Sequence, residues 1–263
     1  DSPVFTYWKL LSVIHLLAQE VMIPFTSIFT KPLVWRLFGA KVGSDVALGG
    51  AVGEPFMVTI GDGAVLGFGS VIAGSVIADG KIIIGGGFAN YNGTGRNRIA
   101  RVNSNGTLDA TFNPGTGVTG VSGGGVFSIA LQSDGKILIG GNMTSYNGTA
   151  VGNMFRANSD GSIDAAFASA SGTGFDNYVR DIAIQSDGKS IVTGDFSNYN
   201  ATSRNHISRL NVDGSLDTTL VVGSGLDSTA FAIDLPTNGT IVLGGPFTTY
   251  NGTTRKGVVR IVQ

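Results

Sequence analysis

The sequence predicts a mainly β protein with an N-terminal helix, a short β-helix, and then about three and a half four-stranded blades of the β-propeller type. An apolar segment opens the chain, a six-residue period follows it, and a much longer repeat occupies the rest. Gly supplies 41 of the 263 residues and charged residues only 13%. This composition is typical of many short strands joined by tight turns.

The charge balance argues against nucleic acid as a partner. The formal net charge is −1, and the sequence has no run of Lys and Arg of the kind that binds phosphates. The absence of cysteine excludes disulfides and thiolate-bound metals. No basic segment of a signal peptide is visible at the start.

Residues 1–40 form an apolar segment that we expect to be helical. Residues 10–29 have about the length needed to cross a membrane, and Lys9 and Lys31 flank them. Polar residues interrupt this run, and Pro24 would kink or end a helix. Two interpretations stay open: a helix in or on a membrane, and a helix that covers the end of a β-repeat stack.

A six-residue period defines the next predicted domain, residues 41–79. An apolar residue followed by a small one recurs in one phase, as in Val42-Gly43, Leu48-Gly49, Ile60-Gly61 and Leu66-Gly67. This pattern is typical of a parallel β-helix of hexapeptides, in which each short strand points one apolar side chain inward.

Two segments here resemble a known family: residues 32–43, PLVWRLFGAKVG, and residues 58–67, VTIGDGAVLG. They resemble the left-handed β-helix of hexapeptide acyltransferases, in particular the acyltransferase-like C-terminal region of polylysine-type nonribosomal peptide synthetases. The resemblance covers residues 31–88. It implies a catalytic His, but residues 42–89 contain none, so the general base for acyl transfer is missing.

A longer repeat runs from Gly80 to the C-terminus and forms the third predicted domain, residues 80–263. In each copy an alternating strand, an Asx-Gly turn and a second strand lead to an aromatic loop, a third strand, another turn and a short fourth strand. Four antiparallel strands per repeat predict a propeller blade, and Asx-Gly predicts a two-residue hairpin turn. The reference glycines of the repeats are Gly80, Gly135, Gly188 and Gly239.

The segments QSDGK (185–189), YNGT (146–149) and RLNVDGSLD (209–217) resemble the delta-60 repeat of bacterial propeller-like proteins. The resemblance covers residues 80–263 and implies a fold without an activity. The repeats do not make up four whole blades, so we expect open strand edges that pair with a second copy or another chain. We also expect a bacterial protein at the cell surface or outside the cell, with membrane contact through residues 10–29.

One polar pattern recurs in the blades: Arg-x-Asn-x-(Asp/Asn)-Gly-x-(Leu/Ile)-Asp. It begins and ends with the pairs Arg101 and Asp109, Arg156 and Asp164, and Arg209 and Asp217. Its spacing is typical of part of a calcium loop. The calcium candidates are Asn158, Asp160, Asp164, Asn211, Asp213 and Asp217. We favour a hairpin turn in which Asp pairs with Arg, because a guanidinium would repel a metal ion.

No catalytic set and no cofactor-binding site is predicted. His15 and His206 are the only histidines, and the glycine-rich segments lack the Lys-Ser/Thr of a phosphate-binding loop. The leading hypothesis is a non-enzymatic surface or secreted repeat protein that acts through assembly or binding. The alternatives are a degenerate or truncated hexapeptide acyltransferase and a sugar- or calcium-binding propeller.

Overall fold

The computed structural model describes residues 80–120, 125–237 and 239–262 in full, and the backbone of six strands before them. The chain divides into two compact units, Asp1–Ile72 with Ser104–Thr107 and Ala73–Asn103 with Leu108–Gln263. The predicted helix in residues 1–40 lies outside the described residues. The six early strands are β1 (Lys41–Val42), β2 (Ala47–Leu48), β3 (Ala51–Val52), β4 (Thr59–Ile60), β5 (Val65–Leu66) and β6 (Val71–Ala78).

The strands of the first unit pair in parallel. Lys41 of β1 lies opposite Thr59 of β4, and Ala47 of β2 lies opposite Val65 of β5. In both pairs the partners are separated by three of the predicted six-residue periods. β3 also pairs in parallel with the start of β6. The predicted β-helix falls mostly on residues outside the described ones.

The second unit repeats one antiparallel motif four times, and we number these copies blades 1 to 4. The central strand of each blade has a neighbour on both sides. Blade 1 contains β6, β7 (Lys81–Gly86) and β10 (Ile99–Val102); blade 2 contains β12 (Val126–Leu131), β13 (Ile137–Gly141) and β16 (Met154–Ala157); blade 3 contains β17 (Val179–Ile184), β18 (Ser190–Gly194) and β21 (Ile207–Leu210); blade 4 contains β22 (Ala232–Asp234), β23 (Thr240–Gly244) and β26 (Val258–Val262).

A small hairpin follows the central strand of every blade, where the sequence predicts an aromatic loop. Asn147 and Gly148 at its tip in blade 2 have φ values of 46° and 78°, as a type I′ turn requires. The segment leaving blade 1, β11 (Val118–Thr119), pairs with this hairpin. The hairpins are β8 (Asn90–Tyr91) with β9 (Thr94–Gly95), β14 (Ser145–Tyr146) with β15 (Thr149–Ala150), β19 (Asn198–Tyr199) with β20 (Thr202–Ser203), and β24 (Thr249–Tyr250) with β25 (Thr253–Thr254).

The turn at the reference glycine has three residues in blades 2 and 3, so the predicted two-residue turn is wrong there. In blade 2 the N–H of Gln132 donates to the carbonyl of Lys136 (2.8 Å), and the N–H of Gly135 donates to the carbonyl of Gln132 (3.0 Å). Gly135 has a φ of 79°. A left-handed glycine after a type I turn makes the bulge of a three-residue hairpin.

The predicted fourth strand is reduced to a single bridge in blades 1, 2 and 3. Beyond the bridge in blade 1, Asp109 accepts a hydrogen bond from the N–H of Thr111 (3.0 Å), which bends the chain away from the sheet. In blade 2 the chain continues into helix α1 (Ala165–Ser171), whose N-terminus is capped by Asp164. The bridges are Val102 to Leu108, Ala157 to Ile163 and Leu210 to Leu216.

The core lies between blades, because the central strands are apolar on both faces. Ile83 of blade 1 packs in one cluster with Ile139 of blade 2. Leu138 of blade 2 packs with Val192 of blade 3. Ile191 of blade 3 packs in one cluster with Ile241 and Leu243 of blade 4. Alternate residues of one strand thus serve opposite interfaces. No helix among the described residues is long and apolar enough to span a membrane.

Candidate functional site

A buried carboxylate binds two cations in each of the first three blades. In blade 1, Oδ2 of Asp109 lies 2.9 Å from Nζ of Lys81 and 2.6 Å from Nε of Arg101. Lys81 opens the central strand, Arg101 lies on the third strand, and Asp109 follows the bridge. Burial raises the pKa of the Asp109 carboxyl, but hydrogen bonds from Lys81, Thr111 and Arg101 outweigh it and hold that pKa well below its usual range.

The same triad recurs in blades 2 and 3. Oδ2 of Asp164 lies 2.8 Å from Nζ of Lys136 and 2.8 Å from Nη2 of Arg156. Against the opposing effect of burial, these contacts lower the pKa of Asp164 to about 2. In blade 3 the carboxylate of Asp217 binds Lys189 (2.8 Å) and Arg209 (2.7 Å).

The arginine of a triad also binds the next blade. Nη1 of Arg101 donates to the carbonyl of Ser159 in blade 2, and Nη1 of Arg156 donates to the carbonyl of Val212 in blade 3 (2.5 Å). The guanidinium of Arg156 also lies 4.7 Å from the ring centre of Phe167, a cation–π distance. The predicted pairs of Arg101, Arg156 and Arg209 with Asp109, Asp164 and Asp217 are therefore formed, and two of them join adjacent blades.

The calcium candidates lie in the turns beside these triads. Oδ1 of Asp160 accepts from the N–H of Ser162 (2.9 Å), and Nδ2 of Asn158 donates to Oγ of Ser162 (2.9 Å). Asp213, Asn211 and Ser215 repeat these bonds in blade 3. Asp164 and Asp217 bind the triad cations. Within the described ranges, no three His, Cys, Asp or Glu side chains are close enough together to hold a metal ion.

An arginine surrounded by aromatic rings was missed by the sequence reasoning. The guanidinium centre of Arg180 lies 5.1 Å from the ring centre of Phe127, 5.3 Å from that of Tyr178 and 5.8 Å from that of Phe231. Phe127, Arg180 and Phe231 hold the same repeat position, eight residues before the reference glycine. Comparing this position across the repeats would have found the group.

The charge of Arg180 is balanced by Asp195. Nη2 of Arg180 lies 2.5 Å from Oδ2 of Asp195, whose Oδ1 accepts from Thr229 of blade 4 (2.7 Å). Burial raises the pKa of Asp195, but hydrogen bonds from Arg180 and Thr229 outweigh it and leave that pKa lowered. Phe231 is 54% exposed, so this aromatic group presents apolar surface to solvent.

The outer face of blade 4 differs from those of the blades before it. A Cβ atom on Gly85 would lie 2.4 Å from Val126 of blade 2, and one on Gly140 would lie 2.4 Å from Val179 of blade 3. Gly244 holds the same position in blade 4, and a Cβ atom there meets nothing within 4 Å. Among the described residues, none fills at Gly244 the space that the next blade fills at Gly85 and Gly140.

The third strand of blade 4 is exposed on this same face. Val258 is 61% exposed and Val262 is 73% exposed. The residues at the Val258 position in blades 2 and 3, Met154 and Ile207, are buried between blades. Blade 4 therefore presents apolar side chains of the kind that the other blades bury.

A family model described as a β-propeller domain of unknown function, DUF5122, matches four segments that together make up half of the chain. The segments are residues 77–112, 132–167, 185–220 and 237–261. The chain belongs to the DUF5122 β-propeller family. Each DUF5122 segment begins just before one of the four reference glycines, which confirms the predicted propeller-type repeat.

Two solved structures show distant likeness to this DUF5122 chain. One is a protein of unknown function from Bacteroides caccae, with a TM-score of 0.40, 14% identity, and coverage of 74% of this chain and 61% of that one. The other is described as the extracellular domain of a one component system from B. thetaiotaomicron, with a TM-score of 0.41, 17% identity, and coverage of 73% and 21%. The chain spans less than two thirds of either. No curated protein sequence matches it.

Proposed function

We propose that this chain is a non-enzymatic repeat protein, at the bacterial surface or secreted, that acts through assembly or binding. The open side of blade 4 is the observation that carries this proposal. Its strand β26 exposes Val258 and Val262, and no described residue bridges its outer edge as Leu108 bridges blade 1. An exposed apolar strand with a free edge favours contact with another chain.

The state of the buried carboxyl groups supports binding over catalysis. A general base works best when its pKa lies near the working pH. The pKa values of Asp109, Asp164 and Asp217 are instead lowered, and each of these carboxylates binds two cations. These groups hold the blades together and have little tendency to accept a proton at neutral pH.

A short left-handed β-helix before the blades, and membrane contact through residues 10–29, are parts of the same proposal. The parallel pairing of Lys41 with Thr59 and of Ala47 with Val65 supports the β-helix, because the partners are three six-residue periods apart. Fractionation of the producing bacterium tests the location. Recovery in the medium or the envelope is expected, and recovery in the cytoplasm alone would contradict it.

Sedimentation velocity over a wide range of protein concentration tests the assembly directly. We expect the mean sedimentation coefficient to rise reversibly with concentration. A chain that sediments as a monomer throughout, and gives no complex with components of the same surface, would contradict the proposal. Turnover of an acyl-CoA by the purified chain would contradict its non-enzymatic part and favour the acyltransferase alternative.

Sugar binding is a second candidate, favoured by the aromatic group around Arg180. A ligand site typically combines apolar and aromatic walls with a few placed polar groups, and Phe127, Tyr178 and Phe231 surround one guanidinium. Titration with oligosaccharides, followed by calorimetry, tests it. Replacement of Phe231 by Ala should abolish any binding, whereas replacement of the exposed Val221 by Ala should not.

A further inference from the structure

We propose that the outer face of blade 4 binds the same face of a second copy of this chain, in a two-fold contact that sets Asp234 of each copy against Arg260 of the other. The inference rests on the proposed function, since it names the surface and the partner of that assembly. Three features of blade 4 carry it: the composition of the face, the position of its two charges, and the contrast with the equivalent row in blades 2 and 3.

The face is defined by strand register. Asp234 of β22, Val242 of β23 and Arg260 of β26 lie side by side. The adjacent row on the same face holds Ala232, Gly244 and Val258, because paired residues and alternate residues share a face. The opposite face of β23 carries Ile241 and Leu243, which are fully buried against blade 3.

The row at Asp234 departs from its counterparts. In blades 2 and 3 the corresponding first-strand residues are Ala130 and Ala183. The third-strand arginines of those rows, Arg156 and Arg209, are nearly buried and bind the triad carboxylates. In blade 4 an acidic residue replaces the alanine.

Asp234 and Arg260 are both exposed. The side chain of neither residue forms a hydrogen bond or ion pair with any residue that the structure describes. They lie on either side of Val242, one strand away from it in each direction. The face therefore carries one negative and one positive charge, arranged symmetrically about an apolar centre.

That arrangement is self-complementary under two-fold symmetry. An axis parallel to β23, midway between two facing sheets, exchanges the positions of β22 and β26. Asp234 of each copy then lies opposite Arg260 of the other, and Val242 lies opposite Val242. Two-fold contacts of this kind use the same patch on both subunits, with an apolar centre and charged groups at the rim.

A further blade of the same repeat fits this face less well. Blade 3 covers blade 2 with apolar side chains, Val179 against Gly140 and Ile182 beside it. A further blade packed on blade 4 in the same way would bury the Asp234 carboxylate without a partner, and burial of an unpaired charge is costly. A second copy supplies that partner.

Charge reversal tests the contact. Asp234→Arg and Arg260→Asp should each weaken self-association by about tenfold or more, because each replaces two attractive pairs by repulsive ones. The double variant, with both replacements in one chain, should restore the wild-type dissociation constant. Both side chains are exposed and have no partner among the described residues, so circular dichroism, and the thermal midpoint at concentrations where the chain is monomeric, should stay unchanged.

Mixing gives a sharper test. The Asp234→Arg chain and the Arg260→Asp chain, each weakly associating alone, should form a mixed dimer when combined, since both contacts are then attractive. Lys256→Glu, a reversal on an exposed residue before β26, is the matched control and should change nothing. If the wild type associates and the single reversals leave its dissociation constant unchanged, this contact is wrong while assembly stands. If the wild type never associates with itself, this contact is wrong, whereas the proposed function fails only if the chain also gives no complex with components of the same surface.

Discussion

The Cγ1 atom of Val179 lies 2.4 Å from the point that a Cβ atom on Gly140 would occupy. Blade 3 fits against blade 2 because position 140 has no side chain. Thr193 and Ala230 stand at the corresponding positions of blades 3 and 4, and both are fully buried. Thr193 is larger than Gly140, and Ala230 is smaller than Val179. The total side-chain volume of the two positions is therefore similar in the two interfaces.

Replacement of Gly140 by Ala should therefore lower the free energy of unfolding by about 1–3 kcal/mol, the usual cost of overpacking a core. Urea denaturation measures it. Gly244→Ala is the matched control, because the new methyl group meets nothing within 4 Å. Equal destabilisation by the two replacements would contradict the packing described for blades 2 and 3.

Replacement of Asp217 by Asn should destabilise the chain by about 3 kcal/mol or more, since it leaves the cations of Lys189 and Arg209 without their carboxylate. Thermal and chemical unfolding measure the loss. Asp213→Asn in the adjoining turn is the control, because the amide oxygen can still accept from Ser215. A loss as large in the control would assign the effect to the turn and not to the triad.

Stability should fall as the pH drops below about 4, because the unfolded chain takes up protons at an ordinary Asp pKa of about 3.9 while the folded triads resist protonation. The pKa of Asp164 is lowered to about 2, and those of Asp109 and Asp217 are lowered as well. Their contribution is complete above the unfolded pKa and is lost as the pH falls through the folded pKa values. Urea denaturation from neutral to acid pH should show this slope.

The Asp164→Asn variant should show a shallower slope, since one of the three carboxyl groups no longer takes part. The slope of the free energy of unfolding against pH should be compared between the variant and the wild type. The absolute free energies should not be compared, because the variant is already less stable at neutral pH. If the free energy of unfolding of the wild type instead rose as the pH fell from neutral to below about 4, the triad carboxylates could not be charged in the folded chain.

Calcium should leave the thermal midpoint unchanged, because Asp164 and Asp217 bind Lys and Arg and the neighbouring Asp160 and Asp213 bind their own turns. Differential scanning calorimetry with added calcium, and again with a chelator, measures this. A calcium-dependent rise in the midpoint that Asp160→Asn abolishes would instead support the calcium-loop interpretation.

The parts of the fold that sequence predicts are those set by local signals. The place of a turn at each reference glycine and the pairing of Arg101 with Asp109 follow from short spacings, although the turn has three residues in blades 2 and 3 and not the predicted two. The lysine of each triad does not, because Lys81 lies 28 residues before Asp109 and only folding brings them together. The fourth strand was overpredicted, since Asp109 accepts a hydrogen bond from Thr111 and ends the pairing after one bridge.

The central claim is that the chain meets its partner through blade 4. Hydrogen exchange of the backbone amides in β26, measured at low and high protein concentration, tests it most directly. We predict that exchange at Val258–Val262 slows as the concentration rises, while exchange in the hairpin β19–β20 of blade 3 does not change. Exchange in β26 that is independent of concentration, in a sample whose mass shows association, would contradict the claim.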